Sequence, residues 1–182
     1  MEDNKATLLR MTIDELLKDK EIKSKEKTEK LSKWLIEKSL PIDELLAFAE
    51  KQKDPVKATC IEAMEYATQR HPEIADESAL VFVTQMLTAK APRVKWESAK
   101  VIGNIAHLFS DKLEAPIANL LVNTEHEGTV VRWSAAFALS QILKLETSNN
   151  KGLISAIVAI CEKEEKKSIQ KIYLDALKKL KK

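Results

Sequence analysis

Val94-Lys95-Trp96-Glu97-Ser98-Ala99 is answered 37 residues later by Val131-Arg132-Trp133-Ser134-Ala135-Ala136. Weaker copies begin 38 residues before the first, at Val56 (Val56-Lys57-Ala58-Thr59-Cys60-Ile61), and 38 residues after the second, at Ile169 (Ile169-Gln170-Lys171-Ile172-Tyr173-Leu174). A near-constant period in this range is the mark of stacked helical hairpins, units too small to bury an apolar face alone and stable only against a neighbour.

Each copy can be rolled onto a helix that turns about 100° per residue. Val94, Ser98, Val101, Ile102 and Ile105 then share one arc, as do Val131, Ala135, Ala138, Leu139 and Ile142, and Val56, Cys60, Ala63, Met64 and Ala67. This arc is the predicted core stripe, with a small residue (Cys60, Ser98, Ala135) one turn in, where neighbouring helices come closest. The opposite arc carries Trp96, Lys100, Gly103 and His107 in one copy and Trp133, Phe137, Ser140 and Lys144 in the next. Its flanking copies carry Ala58, Glu62, Glu65 and Gln69, and Lys171, Asp175, Lys178 and Lys182.

Caps and prolines place the remaining helices. Thr12 with Glu15 forms a capping box, in which the hydroxyl accepts from the third backbone N–H and the carboxylate reaches back; it predicts a helix from Thr12 to Lys20. Others are predicted over 24–38, from Pro41 to Lys53, and over 55–70, 75–89, 93–108, 112–124, 129–145, 151–164 and 167–181, with Pro55, Pro72 and Pro92 at their boundaries. Ile-Asp-Glu-Leu-Leu occurs at Ile13 and again at Ile42, so the first two helices read as a shortened copy of the next two. The expectation is ten helices in five hairpins, roughly 12–38, 42–70, 75–108, 112–145 and 151–181, forming one domain over 1–182.

The composition agrees. Three Gly and five Pro in 182 residues are too few for a loop-rich or all-β chain, and 32% charged residues suit helices with solvated faces. The net charge of +2 gives no global pull toward nucleic acid or membrane. Its distribution is uneven: residues 163–182 hold 8 Lys against 3 acids, while 39–162 hold 12 basic and 16 acidic groups. The lysines of the last helix (Lys178, Lys179, Lys181, Lys182) read as a C-terminal cap that complements the helix dipole and gives the last repeat a soluble outer face. Cys60 and Cys161 stand far apart in apolar runs and read as reduced thiols of a cytoplasmic protein. The N-terminus has no signal pattern, and no apolar run approaches the ~18 residues of a membrane span.

With these residues in place, the chain resembles the HEAT-repeat family. Asp54-Pro55-Val56-Lys57, Val131-Arg132 through Ala135 to Leu139, and Val94-Lys95 through Ser98 to Ile102 match its pattern of a turn, Val, a basic residue, a small residue one turn in and an aliphatic residue after that. The resemblance covers residues 40–182 well and the first hairpin weakly. It implies an all-α, right-handed α-solenoid with the Trp96–Trp133 arc lining its concave surface. The chain also resembles, more weakly, the DNA alkylation repair glycosylases, helical-repeat enzymes with concave tryptophans. Their catalytic aspartate one turn after a tryptophan is replaced here by Lys100 after Trp96 and by Phe137 after Trp133.

The rest of the chemistry is sparse. His71, His107 and His126 have no partners at metal-ligand spacing, no phosphate-binding glycine loop or nucleophile elbow occurs, and Glu164-Glu165 and Asp76-Glu77 read as solvated carboxylates. No catalytic residue, metal site or cofactor is expected, and the chain reads as a non-enzyme. Lys57, Lys95 and Arg132 share a repeat column just after the turn and are expected to tie one repeat to the next. Two exposed indoles on adjacent repeats, joined by Phe137, would form a patch of the kind that marks a binding surface. The reading is therefore a scaffold that binds a protein or peptide through Trp96, Trp133 and Phe137, rimmed by Lys100, Lys144 and Arg93, with self-association through that patch as a variant. A second reading is non-catalytic nucleic-acid binding, which requires a continuous positive groove from Arg93 to Lys144. A glycosylase would further need a carboxylate facing the indoles.

Overall fold

A computed structural model describes residues 11–180. Among them the chain forms ten α-helices, two 3₁₀ turns and no strand. The helices are α1 (Ile13–Lys18), α2 (Ser24–Ile36), α3 (Ile42–Glu50), α4 (Asp54–Arg70), α5 (Glu77–Met86), α6 (Pro92–Ile105), α7 (Glu114–Asn123), α8 (Thr129–Leu143), α9 (Asn150–Lys163) and α10 (Lys167–Leu180). Lys181 and Lys182 of the expected terminal cap lie outside the described residues.

The helices pair in sequence and the pairs stack. The second helix of each hairpin packs on its counterparts, in the order α2, α4, α6, α8, α10. The first helices touch one another sparsely, through α3 with α5 and α5 with α7. The chain is thus an α-solenoid, and its closely packed layer is the layer of second helices. The repeated phrase explains why. Cys60, Ser98 and Ala135 are all fully buried, and small side chains at this turn let the helix axes approach. Met64, Ile102 and Leu139 fill the same level one turn later, fully buried as well.

The local signals act as the sequence predicts, with shorter ends. Thr12 Oγ1 accepts from the Glu15 N–H at 3.2 Å while Glu15 Oε2 accepts from the Thr12 N–H at 2.7 Å, completing the capping box. Asp76 Oδ1 accepts from the Ala79 N–H at 3.0 Å and caps α5, so Asp76 is a structural cap and not a merely solvated carboxylate. Pro41 precedes α3 as its cap residue and does not open the first turn. The helix expected over 93–108 is α-helical only to Ile105, because residues 106–108 tighten into a 3₁₀ turn before the chain reverses. Lys38 and Glu146 adopt left-handed φ values of 56° and 52° just after α2 and α8, ending both helices without glycine.

Lys95 and Arg132 of the basic column join repeats, whereas Lys57 makes no such bond among the described residues. Lys95 Nζ donates to the Leu87 carbonyl at 2.9 Å, at the end of α5, and to Asn123 Oδ1 at 3.0 Å in the next hairpin. Arg132 donates to the His126 and Glu127 carbonyls, both at 2.9 Å, and through Nε to Glu164 Oε2 at 2.9 Å in the hairpin that follows. Glu164 is therefore not the solvated carboxylate its Glu-Glu context suggests, but a buried partner in a repeat joint. Asparagines stitch joints too: Asn119 Nδ2 donates to the Thr84 carbonyl and Asn123 Nδ2 to the Leu87 carbonyl, both at 3.1 Å, across the joint of Lys95, and Asn104 Nδ2 donates to the Glu65 carbonyl at 3.2 Å across the joint before it.

Candidate functional site

The two tryptophans stand at the same helical position in α6 and α8 and meet different fates. Trp133 remains 40% exposed. Its ring lies parallel to Phe137, one turn on, with centroids 6.0 Å apart and planes within 5°. Phe137 lies in turn on Gly103 of the preceding repeat, where an added Cβ would overlap the ring. Gly103 therefore belongs to the floor beneath Phe137 and is buried, although it rolls onto the outer arc. The result is an aromatic shelf crossing from α8 to α6, held flat by packing from below.

Trp96 is half-buried. Its indole Nε1 donates to Glu97 Oε1 at 2.8 Å. The other oxygen, Glu97 Oε2, takes Lys100 Nζ at 3.0 Å, and Lys100 also reaches Glu65 Oε2 of α4 at 3.3 Å. Beside this triad, Arg93 Nη2 donates to Glu62 Oε2 at 2.7 Å, and the same carboxylate oxygen accepts from the Thr28 hydroxyl at 3.0 Å. A ladder of charged and polar groups thus runs over the second helices, with its ion pairs between α4 and α6 and the Thr28 hydroxyl as its α2 end.

This ladder corrects the expected basic rim. Arg93 and Lys100 are spent on Glu62, Glu65 and Glu97, so that carboxylates outnumber cations at this end. Lys144 is exposed and donates to Gln141 Oε1 at 3.2 Å. The continuous positive groove required for nucleic acid is not formed between Arg93 and Lys144. A carboxylate does meet an indole, at Glu97, but it is buried and both its oxygens are engaged.

Burial and pairing tune the carboxylates in opposite directions. Burial pushes Glu65 above the ordinary carboxylate value of 4.5, with Lys100 opposing it. Burial acts the same way on Glu164, but the Arg132 bond and the Lys166 N–H outweigh it and hold Glu164 below that value. Lys100 is disfavoured by burial, yet Glu97 and Glu65 raise it, so it stays an ammonium. Burial pushes the Cys60 thiol up to about 12, leaving it unreactive. Among the described residues no cluster of His, Cys, Asp and Glu is arranged to hold a metal ion, and no helix is long and apolar enough to cross a membrane.

This geometry places the chain in the class of helical-repeat α-solenoids. Among solved structures it is similar to a designed armadillo repeat protein in complex with the peptide (KR)4, with a TM-score of 0.54, 18% sequence identity, and coverage of 91% of this chain and 96% of that one. No protein-family model and no curated protein matches the chain.

Proposed function

We propose that this protein is a non-enzymatic HEAT-like scaffold that binds an extended peptide segment across the second-helix face, with Trp133 and Phe137 at the centre of the contact. The observation that carries the reading is the exposed, prepacked Trp133–Phe137 shelf. A large ring already immobilised loses little conformational entropy on binding, which is why tryptophan dominates contact energies. The second helices pack more closely than the first, so the stack bends toward them, and a concave face suits an extended ligand. Trp96 serves as a second wall of the groove, and Lys144 marks its far rim. Arg93 and Lys100 act indirectly, by fixing the carboxylates of Glu62, Glu65 and Glu97.

That local excess of carboxylate favours a peptide with basic side chains over a nucleic acid. The designed armadillo protein of similar fold was solved with such a peptide, (KR)4. The test is a calorimetric titration with (KR)4 and, separately, with a single-stranded oligonucleotide. The peptide should bind, and Trp133→Ala should weaken it by about tenfold or more, the usual cost of truncating a tryptophan anchor. Oligonucleotide binding without peptide binding would replace this reading with the nucleic-acid one.

A further inference from the structure

The geometry points to a second docking surface, on the first-helix side of the stack, where the groove between α3 and α5 receives a basic amphipathic helix from a partner protein. The repeat register locates it. The next joint along this layer, between α5 and α7, is stitched: Asn119 Nδ2 donates to the Thr84 carbonyl at 3.1 Å, and Lys112 Nζ donates to Glu77 Oε2. Asn119 is the sixth residue of α7, and the sixth residue of α5 is Phe82. Among the described residues no hydrogen bond or ion pair crosses from α3 to α5. A phenyl ring thus stands where the following repeat has a stitching amide, and the joint before α5 stays open.

Phe82 lines a groove of about 620 Å³ between the two helices. The α3 wall is a single helical stripe, Asp43, Leu46, Ala47 and Glu50, spaced i, i+3, i+4, i+7. The α5 wall includes Glu77 and, one turn on, Val81. Leu46 and Phe82 are buried and form the floor, whereas Ala47 is exposed and Val81 is 49% exposed. The apolar middle of the groove therefore runs from a buried floor to bare edges on both helices. That continuity separates it from a lone apolar side chain scattered on a surface.

The occupant follows from charge and shape. The charged residues lining the groove are Asp43, Glu50 and Glu77, all carboxylates. Asp43 stands in the first turn of α3 and Glu50 closes that helix, so acids mark both ends of the apolar middle. Asp43 and Glu50 have no ion partner among the described residues, and Glu77 shares its charge with Lys112 of the neighbouring joint. Lys51 follows Glu50 in the chain but does not line the groove. Such walls repel phosphates and attract cations that flank an apolar stripe. The same groove of a second copy carries the same charge, which disfavours a symmetric pairing through it. The nine residues of α3 span about 13 Å, room for about two turns of a docked helix, and an apolar groove takes a helix by its i, i+3, i+4 face.

The test uses the whole 182-residue protein and two labelled synthetic helices with the same leucine stripe, one flanked by lysines and one by glutamates. Fluorescence anisotropy should show the lysine helix binding at least about tenfold more tightly. Val81→Ser should weaken it by about fivefold, the value of a half-bare valine covered on binding. Asp43→Asn/Glu50→Gln should cut the preference for lysines to about threefold or less. Unchanged melting of the variants by circular dichroism excludes misfolding, and Trp133→Ala should leave this binding intact, which separates it from the second-helix face. Binding of neither helix, equal affinity for both, or indifference to Val81→Ser would overturn the proposal. So would binding lost in Trp133→Ala, which would move the helix to the other face, or a dimer in sedimentation that Val81→Ser dissolves, which would assign the groove to a second copy.

Discussion

A methyl group on Gly103 would collide with the Phe137 ring, and that one absence lets Phe137 lie flat and support Trp133. Glycine inside a helix costs about 1 kcal/mol relative to alanine, so Gly103→Ala would stabilise α6 if propensity ruled. Overpacking a tight site costs about 1–3 kcal/mol, and the expected outcome is a protein no more stable than the parent, with its aromatic stack disturbed. Thermal melting together with near-ultraviolet circular dichroism checks both parts. The repeated phrase made the two indoles legible as equivalents, but not the difference between them. That difference comes from the residue after each. Glu97 offers Trp96 an acceptor, whereas Ser134 turns its hydroxyl to the Val131 carbonyl at 2.8 Å and leaves Trp133 to its ring contacts. A helical wheel assigns directions and cannot say which charged neighbour will fold over an indole.

Joints between elements show the same limit. The column Lys57, Lys95, Arg132 is readable from the period, yet the partner of Arg132 lies 32 residues on, in a Glu-Glu pair that looks solvated. What betrays Glu164 is its position between the end of α9 and the start of α10, where the chain must turn against the preceding repeat. Glu164 and Glu65 are both buried carboxylates with opposite consequences. Because the folded value of Glu164 is depressed, its stabilisation is complete above the unfolded value near 4.5 and is lost as pH falls through the folded one. Glu164→Gln should cost about 3 kcal/mol at pH 7, since it strands the Arg132 charge in the joint, and the deficit should shrink in acid. Glu65 has a raised folded value, so ionising it weighs against folding above that pH and is relieved below it. Glu65→Gln, with Lys100 still held by Glu97, should be neutral or stabilising at pH 7 and converge on the parent in acid. Urea unfolding of both variants at pH 7 and pH 4 should give these opposite trends.

Over the whole molecule, contacts run between neighbours along the stack, so stability is approximately a sum over joints. The α4–α6 and α6–α8 interfaces are the closest packed, whereas among the described residues α1 and the α9–α10 hairpin have neighbours on one side only. Hydrogen exchange should therefore be slowest in α4, α6 and α8 and fastest in α1 and α9. Uniform protection from α1 to α10 would contradict nearest-neighbour stacking. The period made this architecture readable before any coordinate, because each copy had to bury the same arc. Exposure was less readable: Leu174 stands where isoleucine or alanine stands in earlier copies, and only burial tells a covered position from a bare one. The joints carry one more consequence. Lys95 closes on an asparagine and a helix-end carbonyl, whereas Arg132 closes on a carboxylate and two turn carbonyls. These two repeats thus bear different locks, each cut for its own successor, and transposing them would leave Glu164 facing a lysine too short and too blunt to fork across it. The order of these two repeats is therefore fixed by their side chains, and exchanging them would break both joints.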